Sequence, residues 1–188
     1  MEPNIVNNPG SETYPTAKPM LGFFEAVKIC FDKFFDFTGR ARRSEFWWFT
    51  LFMTLVSAVC SFVDGILEAA LGISFVNAVA YLVLLLPSMT VSWRRLHDVG
   101  RSGWWYGISM MLIIVGFFLG AFTLVINEGP GVADLAADDL YKMFFSQSSL
   151  LFWLPVIAGF VLCFVCFVFT LLDSHSGENK YGPSPKYQ

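Results

Sequence analysis

The fold is decided by residues 39–48, Gly-Arg-Ala-Arg-Arg-Ser-Glu-Phe-Trp-Trp, and by residues 100–105, Gly-Arg-Ser-Gly-Trp-Trp. Each stretch runs from a Gly-Arg turn through a serine into a pair of tryptophans, and a long uncharged apolar run follows. A basic turn, a capping serine and an interfacial aromatic pair are typical of the point where a helix enters a bilayer from its positive side. The pattern predicts two spanning helices, capped by Ser44 and Ser102.

The composition of the whole chain is that of a membrane protein. Of its 188 residues, 55% are hydrophobic and 14% are charged, whereas soluble domains carry about 25% charged residues. The 21 phenylalanines suit a lipid-facing surface with aromatic belts. The sequence contains no recognisable motif for a nucleotide, a metal, a catalytic nucleophile or a nucleic acid, so we expect no cofactor and no nucleic-acid partner.

Four apolar runs are long enough to cross a bilayer, at about residues 46–63, 75–93, 104–126 and 150–172. They predict an all-α, polytopic membrane protein with four transmembrane helices in two hairpins. Asp64 and Gly65 are expected to end the first span, and Pro87 to bend the second. We place the membrane domain at residues 20–176, between a disordered tail at 1–19 and a second polar tail at 177–188.

Charge is segregated between the two sides of this arrangement. One side carries eleven of the twelve basic residues: Lys18, Lys28, Lys33, Arg40, Arg42, Arg43, Arg94, Arg95, Arg101, Lys180 and Lys186. The other side carries Lys142 together with Asp64, Glu68, Glu128, Asp134, Asp138 and Asp139. The positive-inside rule therefore predicts that both termini lie in the cytoplasm.

Two further segments have helical periodicity outside the spans. Between residues 21 and 35 the apolar side chains form a stripe, which predicts an amphipathic helix lying in the cytoplasmic interface. The alternative is that this stripe packs on the bundle. Between residues 132 and 144 a second stripe alternates with aspartates, which predicts a short acidic amphipathic helix on the outer surface.

Charged residues gather at the cytoplasmic ends of the spans, and they are our candidates for an anion-binding site. The set is Arg40, Arg42, Arg43, Glu45, Arg94, Arg95, His97, Asp98 and Arg101. The alternative is that they are ordinary topology determinants and anchors.

His97 and Asp98, together with Asp173 and His175, could instead bind a metal or perform acid–base chemistry. Cys163 and Cys166 fit helix packing better than redox chemistry, because an apolar surrounding disfavours the thiolate.

Three segments also resemble the signatures of a known family. Residues 35–49, residues 94–105 and residues 179–185 are similar, in that order, to the signatures of the domain of unknown function 805 family. These are small, YhaH-like bacterial inner-membrane proteins. The resemblance implies an inner-membrane location and a helical bundle, and it brings no established substrate or reaction. This chain differs in its longer N-terminal tail and in the insert between the third and fourth spans.

These observations favour a non-enzymatic inner-membrane module whose basic cytoplasmic rim binds membrane lipid, such as anionic phospholipid, or a membrane-protein partner. A second copy of the chain is a further candidate partner. A small transporter or channel subunit is the first alternative, although the span interiors contain no Asp, Glu, Lys, Arg or His. An enzyme acting on a lipid head group is the second.

Overall fold

The computed structural model describes residues 17–128, 139, 142 and 150–187. Within these residues the regular elements are five α-helices: α1 (Phe23–Asp32), α2 (Arg43–Leu71), α3 (Val76–Asp98), α4 (Trp104–Glu128) and α5 (Leu150–Leu171). By length and composition, α2 to α5 can each cross a membrane. The prediction of an all-α chain with four spans is confirmed. The predictions for residues 1–16 and for an outer helix at 132–144 fall outside the described residues, apart from Asp139 and Lys142.

The first span is longer than predicted at both ends. Helix α2 begins at Arg43, so its N-cap residue is Arg42 rather than Ser44, and no side chain caps it. It continues to Leu71 and ends at Gly72, which adopts the left-handed conformation (φ 68°) common after helices.

Asp64 does not end α2, and the structure shows why that prediction is wrong. Its carboxylate accepts hydrogen bonds from the backbone N–H groups of Phe75, Val76 and Asn77, at 3.0, 2.8 and 2.8 Å. These N–H groups belong to the first turn of α3, where they have no partner within the helix. Asp64 therefore stays within α2 and caps the neighbouring helix, which fixes the turn of the hairpin.

The four spans pack as two hairpins, α2 with α3 and α4 with α5. The second hairpin is close-packed around glycines. A Cβ atom on Gly159 would lie 2.8 Å from the backbone oxygen of Ser109, and one on Gly116 would lie 2.5 Å from Val156 Cγ2. Small residues at such positions let helix backbones approach closely.

Helix α1 packs on the first hairpin along one side only. Ala26 and Cys30 are buried there, and the Phe31 ring meets the Phe49 ring edge to face at 6.1 Å. Phe24 in α1, and Phe35 three residues beyond its end, remain exposed. The packing alternative therefore describes one side of this helix, while Phe24 still presents an aromatic ring to the surroundings.

Helix α3 ends in a Schellman motif that leads directly into the second Gly-Arg turn. The Gly100 N–H donates to the carbonyl of His97, and the Arg101 N–H donates to that of Leu96. Gly100 is left-handed at φ 75°, a conformation that glycine adopts without a steric penalty. Ser102 lies two residues before Trp104, the first residue of α4, so Gly103 rather than Ser102 precedes the helix directly. The Ser102 hydroxyl still accepts from the Trp104 N–H at 3.4 Å.

Candidate functional site

One end of the molecule gathers residues 17–22, 38–45, 94–103 and 172–187, and we call it the basic face. The Ala41 N–H donates to the carbonyl of Arg94, which holds the first Gly-Arg turn against the end of α3. The C-terminal segment folds back across both, and Ala17 pairs with Tyr187 in an isolated bridge. The three charged segments of the sequence thus meet in one layer, and residues 17 and 18 are part of it.

Asp98 is the centre of a buried ion-pair cluster. One carboxylate oxygen accepts from Arg40 Nε at 2.9 Å, and the other accepts from Arg95 Nη1. All three side chains are at most 1% exposed. Both carboxylate oxygens are therefore engaged by arginines, which favours a structural role for Asp98 over a role as a base or a metal ligand.

Arg40 uses its remaining nitrogens to bind the C-terminal segment. It donates to the backbone oxygens of His175 at 2.6 Å, Gly177 at 2.8 Å and Gly182 at 3.1 Å. Arg95 donates similarly to the backbone oxygen of Leu172. Arg40 and Arg95 therefore hold the C-terminal segment against the first Gly-Arg turn and the end of α3.

Glu45 and Arg94 form a second buried pair, with 2.5 Å between Oε1 and Nη1. The Cys30 thiol lies 3.9 Å from the same carboxylate oxygen, so α1 is tied to this pair. Burial, and to a lesser degree the nearby Glu45 charge, raises the pKa of the Cys30 thiol to about 12. Within the described residues Arg94 Nε and Nη2 have no hydrogen-bond partner.

His97 holds the C-terminal segment by stacking. Its ring lies parallel to that of Tyr181, with 3.7 Å between centroids, and its Nδ1 is 3.0 Å from the carbonyl oxygen of Gly39. His175 is exposed, and within the described part of the chain its ring hydrogen-bonds with Gly177 of its own turn. Over the part of the chain that the structure describes, no three metal-ligating side chains converge.

Arg42, Arg43 and Arg101 differ from the other candidates because their charges are not neutralised. Arg42 makes one side-chain hydrogen bond, from Nη2 to the carbonyl of Lys18 at 2.9 Å. Arg43 is exposed, and its side chain makes no hydrogen bond or ion pair to any described residue. The Arg101 guanidinium lies 5.2 Å from the centroid of the Phe169 ring. Of the nine candidates, these three leave positive charge available to a ligand.

A cavity of about 500 Å³ lies beside the N-terminus of α2. It is lined by Met20, Arg42, Arg43, Ser44, Trp47, Trp48, Leu51, Asp173 and Lys186. The Lys186 ammonium bonds both oxygens of Asp173, at 2.5 and 2.6 Å. This contact holds the pKa of Asp173 below its usual value and raises that of Lys186.

Sequence reasoning missed Met20, Lys186 and the cavity role of Ser44. Met20 and Lys186 lie in polar, proline-rich ends of the sequence that carry no periodic signal. They reach the cavity only because the two ends pair with each other, the Lys18 N–H donating to the Lys186 carbonyl at 2.8 Å.

Comparison with known proteins assigns the chain to a family. The profile described as "Protein of unknown function (DUF805)" matches residues 34–183. The chain belongs to the DUF805 family. Inner membrane protein YhaI of Escherichia coli (strain K12) is 29% identical over 151 residues, which cover 80% of this chain and 86% of YhaI. Inner membrane protein YhaH of the same strain is 27% identical over 158 residues, which cover 81% and 88%.

Uncharacterized protein YiiR of that strain is 31% identical over 158 residues, covering 79% of this chain and 84% of YiiR. No solved structure matches the chain significantly. The resemblance found in the sequence is confirmed. The matched DUF805 region contains the whole Asp98 cluster, whereas Met20 and Lys186 lie outside it.

Proposed function

We propose that this DUF805 protein is a non-enzymatic inner-membrane module that binds anionic phospholipid at its basic face. The observation that carries the proposal is the division among the arginines. The charges of Arg40, Arg94 and Arg95 are neutralised by buried ion pairs within the protein. Arg43 and Arg101 are exposed, and each lies next to a tryptophan pair of the two Gly-Arg segments.

Exposed arginines and tryptophans at one level suit the head-group region of a bilayer. Trp104 and Trp105 are exposed by 63% and 41%, and tryptophan rings prefer the membrane–water interface. Each exposed Lys or Arg near an anionic leaflet contributes about 1 kcal/mol. Since 1.4 kcal/mol is tenfold in affinity, removing one such arginine is expected to weaken anionic-lipid binding about fivefold.

The proposal includes the orientation of the chain. The charge segregation supports a basic face in the cytoplasm, where anionic lipid is also accessible to it. Fusion of a fluorescent protein that folds only in the cytoplasm to the C-terminus should give fluorescent cells. Alkaline phosphatase activity from the same position would contradict this orientation.

Analysis of co-purified lipid tests the function itself. We expect Arg43→Gln and Arg101→Gln each to lower the retained ratio of phosphatidylglycerol to phosphatidylethanolamine, and the double variant to lower it further. Lys142→Gln is the matched control, because it removes one exposed cation on the opposite side. Unchanged retention in the double variant would refute anionic-lipid binding. An equal loss in Lys142→Gln would show that net charge alone is responsible.

A further inference from the structure

We propose that the cavity beside the N-terminus of α2 is a discrete site for the phosphate group of one anionic phospholipid, with an acyl chain lying against Trp47 and Leu51. The inference rests on the proposed function and narrows it from a basic face to a single pocket. Binding at a discrete pocket saturates at one lipid per chain, whereas general attraction to a charged surface does not.

The cavity has the size and polarity of a ligand site. Its volume of about 500 Å³ lies within the range of about 300–1,000 Å³ usual for small-molecule pockets. Arg42, Arg43 and Ser44 form its polar end, and Trp47, Trp48 and Leu51 form its apolar wall. Trp48 is fixed in that wall, because its indole N–H donates to the carbonyl of Leu21 at 2.8 Å.

The polar end is the beginning of the longest helix. The first N–H groups of a helix have no partner within it, and no side chain caps α2. Their partial positive charge favours a bound anion. Glu45, the acidic residue of this first turn, is turned away into its buried pair with Arg94, so no carboxylate of α2 itself fills the position.

An unpartnered hydroxyl points independently to a ligand. Ser44 Oγ is shielded from solvent and has no hydrogen-bond partner among the described residues, although buried polar atoms are nearly always bonded. Arg42 beside it is only 8% exposed, and its one side-chain hydrogen bond goes from Nη2 to the neutral backbone carbonyl of Lys18. The unused guanidinium nitrogens of Arg42 would donate to a phosphate oxygen in the cavity. Ser44 lines the same cavity, and rotation about its Cα–Cβ bond would turn its hydroxyl from the shielded position toward that oxygen.

The charge balance of the cavity also fits a phosphate. Lys186 is neutralised by Asp173, whose second oxygen also accepts from the Tyr187 hydroxyl at 3.1 Å. Arg42 and Arg43 have no carboxylate partner within the described part of the chain. These two guanidinium groups give the cavity a positive charge, and either can bind the singly charged phosphodiester bidentately.

The apolar wall favours a lipid over a soluble phosphate. Trp47 and Leu51 are one turn apart on α2, and Leu55, one turn further along, is exposed. This row runs from the polar end of the cavity along a membrane span. A phosphate held by Arg43 would therefore leave its acyl chain parallel to α2, on the lipid side of the helix.

Native mass spectrometry of the full chain, released from zwitterionic micelles with increasing phosphatidylglycerol, tests the site. We expect one saturable lipid adduct. Arg43→Gln and Ser44→Ala should each weaken it about tenfold, as expected for losing a hydrogen bond to a charged group. Lys28→Gln is the matched control, since Lys28 is an exposed cation of α1 outside the cavity. Ser44→Ala should leave thermal unfolding unchanged, which separates binding from folding.

The outcomes distinguish the site from the broader function. If lipid binds but Ser44→Ala has no effect, and Arg43→Gln weakens it no more than Lys28→Gln, the discrete site is refuted while binding by the basic face survives. If phosphatidylglycerol binds no better than phosphatidylcholine, both fail. Displacement of the adduct by millimolar glycerol phosphate would overturn the assignment to a lipid and indicate a soluble phosphate ester instead.

Discussion

Replacing Asp98 with asparagine should destabilise the protein more than any other single change of charge at the basic face. The substitution keeps the size and one acceptor oxygen of the side chain, but it removes the negative charge shared by Arg40 and Arg95. Both arginines would then be buried without a counter-ion. The new amide would also direct N–H donors at a guanidinium that can only donate.

The expected loss of stability depends on the hydrogen-bond acceptors that Arg40 and Arg95 keep in the variant. Removing one partner of a buried ion pair costs about 3–5 kcal/mol, because it leaves an uncompensated charge. Arg40 keeps three carbonyl acceptors in the C-terminal segment, and Arg95 keeps that of Leu172. These dipoles partly solvate the two charges, so we expect a loss near the lower limit, about 3 kcal/mol.

Equilibrium unfolding by SDS in mixed micelles, followed by helical circular dichroism, measures this loss. Asp173→Asn is the matched control, because it removes the carboxylate of a pair whose acid is 52% exposed. Exposed pairs contribute about 0–1 kcal/mol. Equal destabilisation by the two substitutions, or a loss below about 1 kcal/mol for Asp98→Asn, would refute the view that burial makes this cluster essential.

Three further predictions concern packing, pH and thiol chemistry. Gly159→Ala should lower the free energy of unfolding by about 1–3 kcal/mol in the same assay, because its Cβ would meet the backbone of α4. Gly65→Ala is the control and should not destabilise the protein, because its Cβ would point into open space. Equal effects would contradict close packing of α4 on α5. Because the pKa of Asp173 is lowered and that of Lys186 raised, docking of the C-terminal segment should persist at neutral pH. It should loosen as pH falls below 3.8 or rises above 10.5. This would be seen as lower hydrogen-exchange protection factors, which divide out the intrinsic pH dependence of exchange; unchanged protection factors at either extreme would count against the pair. In a variant keeping only Cys30, maleimide at neutral pH should not label the folded protein, since burial raises the pKa of that thiol to about 12; labelling at the unfolded rate would contradict this.

The number of spans was predictable because lipid imposes a simple rule. Each span must be long, apolar and helical, since unpaired backbone groups are costly in the bilayer. The end of α2 was not predictable from local signals. Asp64 and Gly65 are typical of a helix end, but Asp64 caps α3 across the hairpin, and that role depends on tertiary structure.

The candidate site was predictable in composition but not in the role of each residue. The sequence identifies the arginines at one end of the spans. It cannot show that Arg40 is neutralised by Asp98 while Arg43 remains unpaired, because the two lie in the same basic run. Lys186 carried no signal, since its position depends on pairing between the two ends of the chain.

The contacts of Arg40 determine when the basic face can finish folding relative to synthesis of the chain. Its three backbone acceptors beyond α5 lie at His175, Gly177 and Gly182, so they leave the ribosome after every span has been synthesised. Until then the Arg40 guanidinium can be held by water and by Asp98, through the carboxylate and the backbone oxygen of that residue. Insertion into the bilayer can therefore proceed helix by helix during translation, but closure of the basic end is a late step. A nascent chain stalled after α5 would contain all four spans but lack these three acceptors of Arg40.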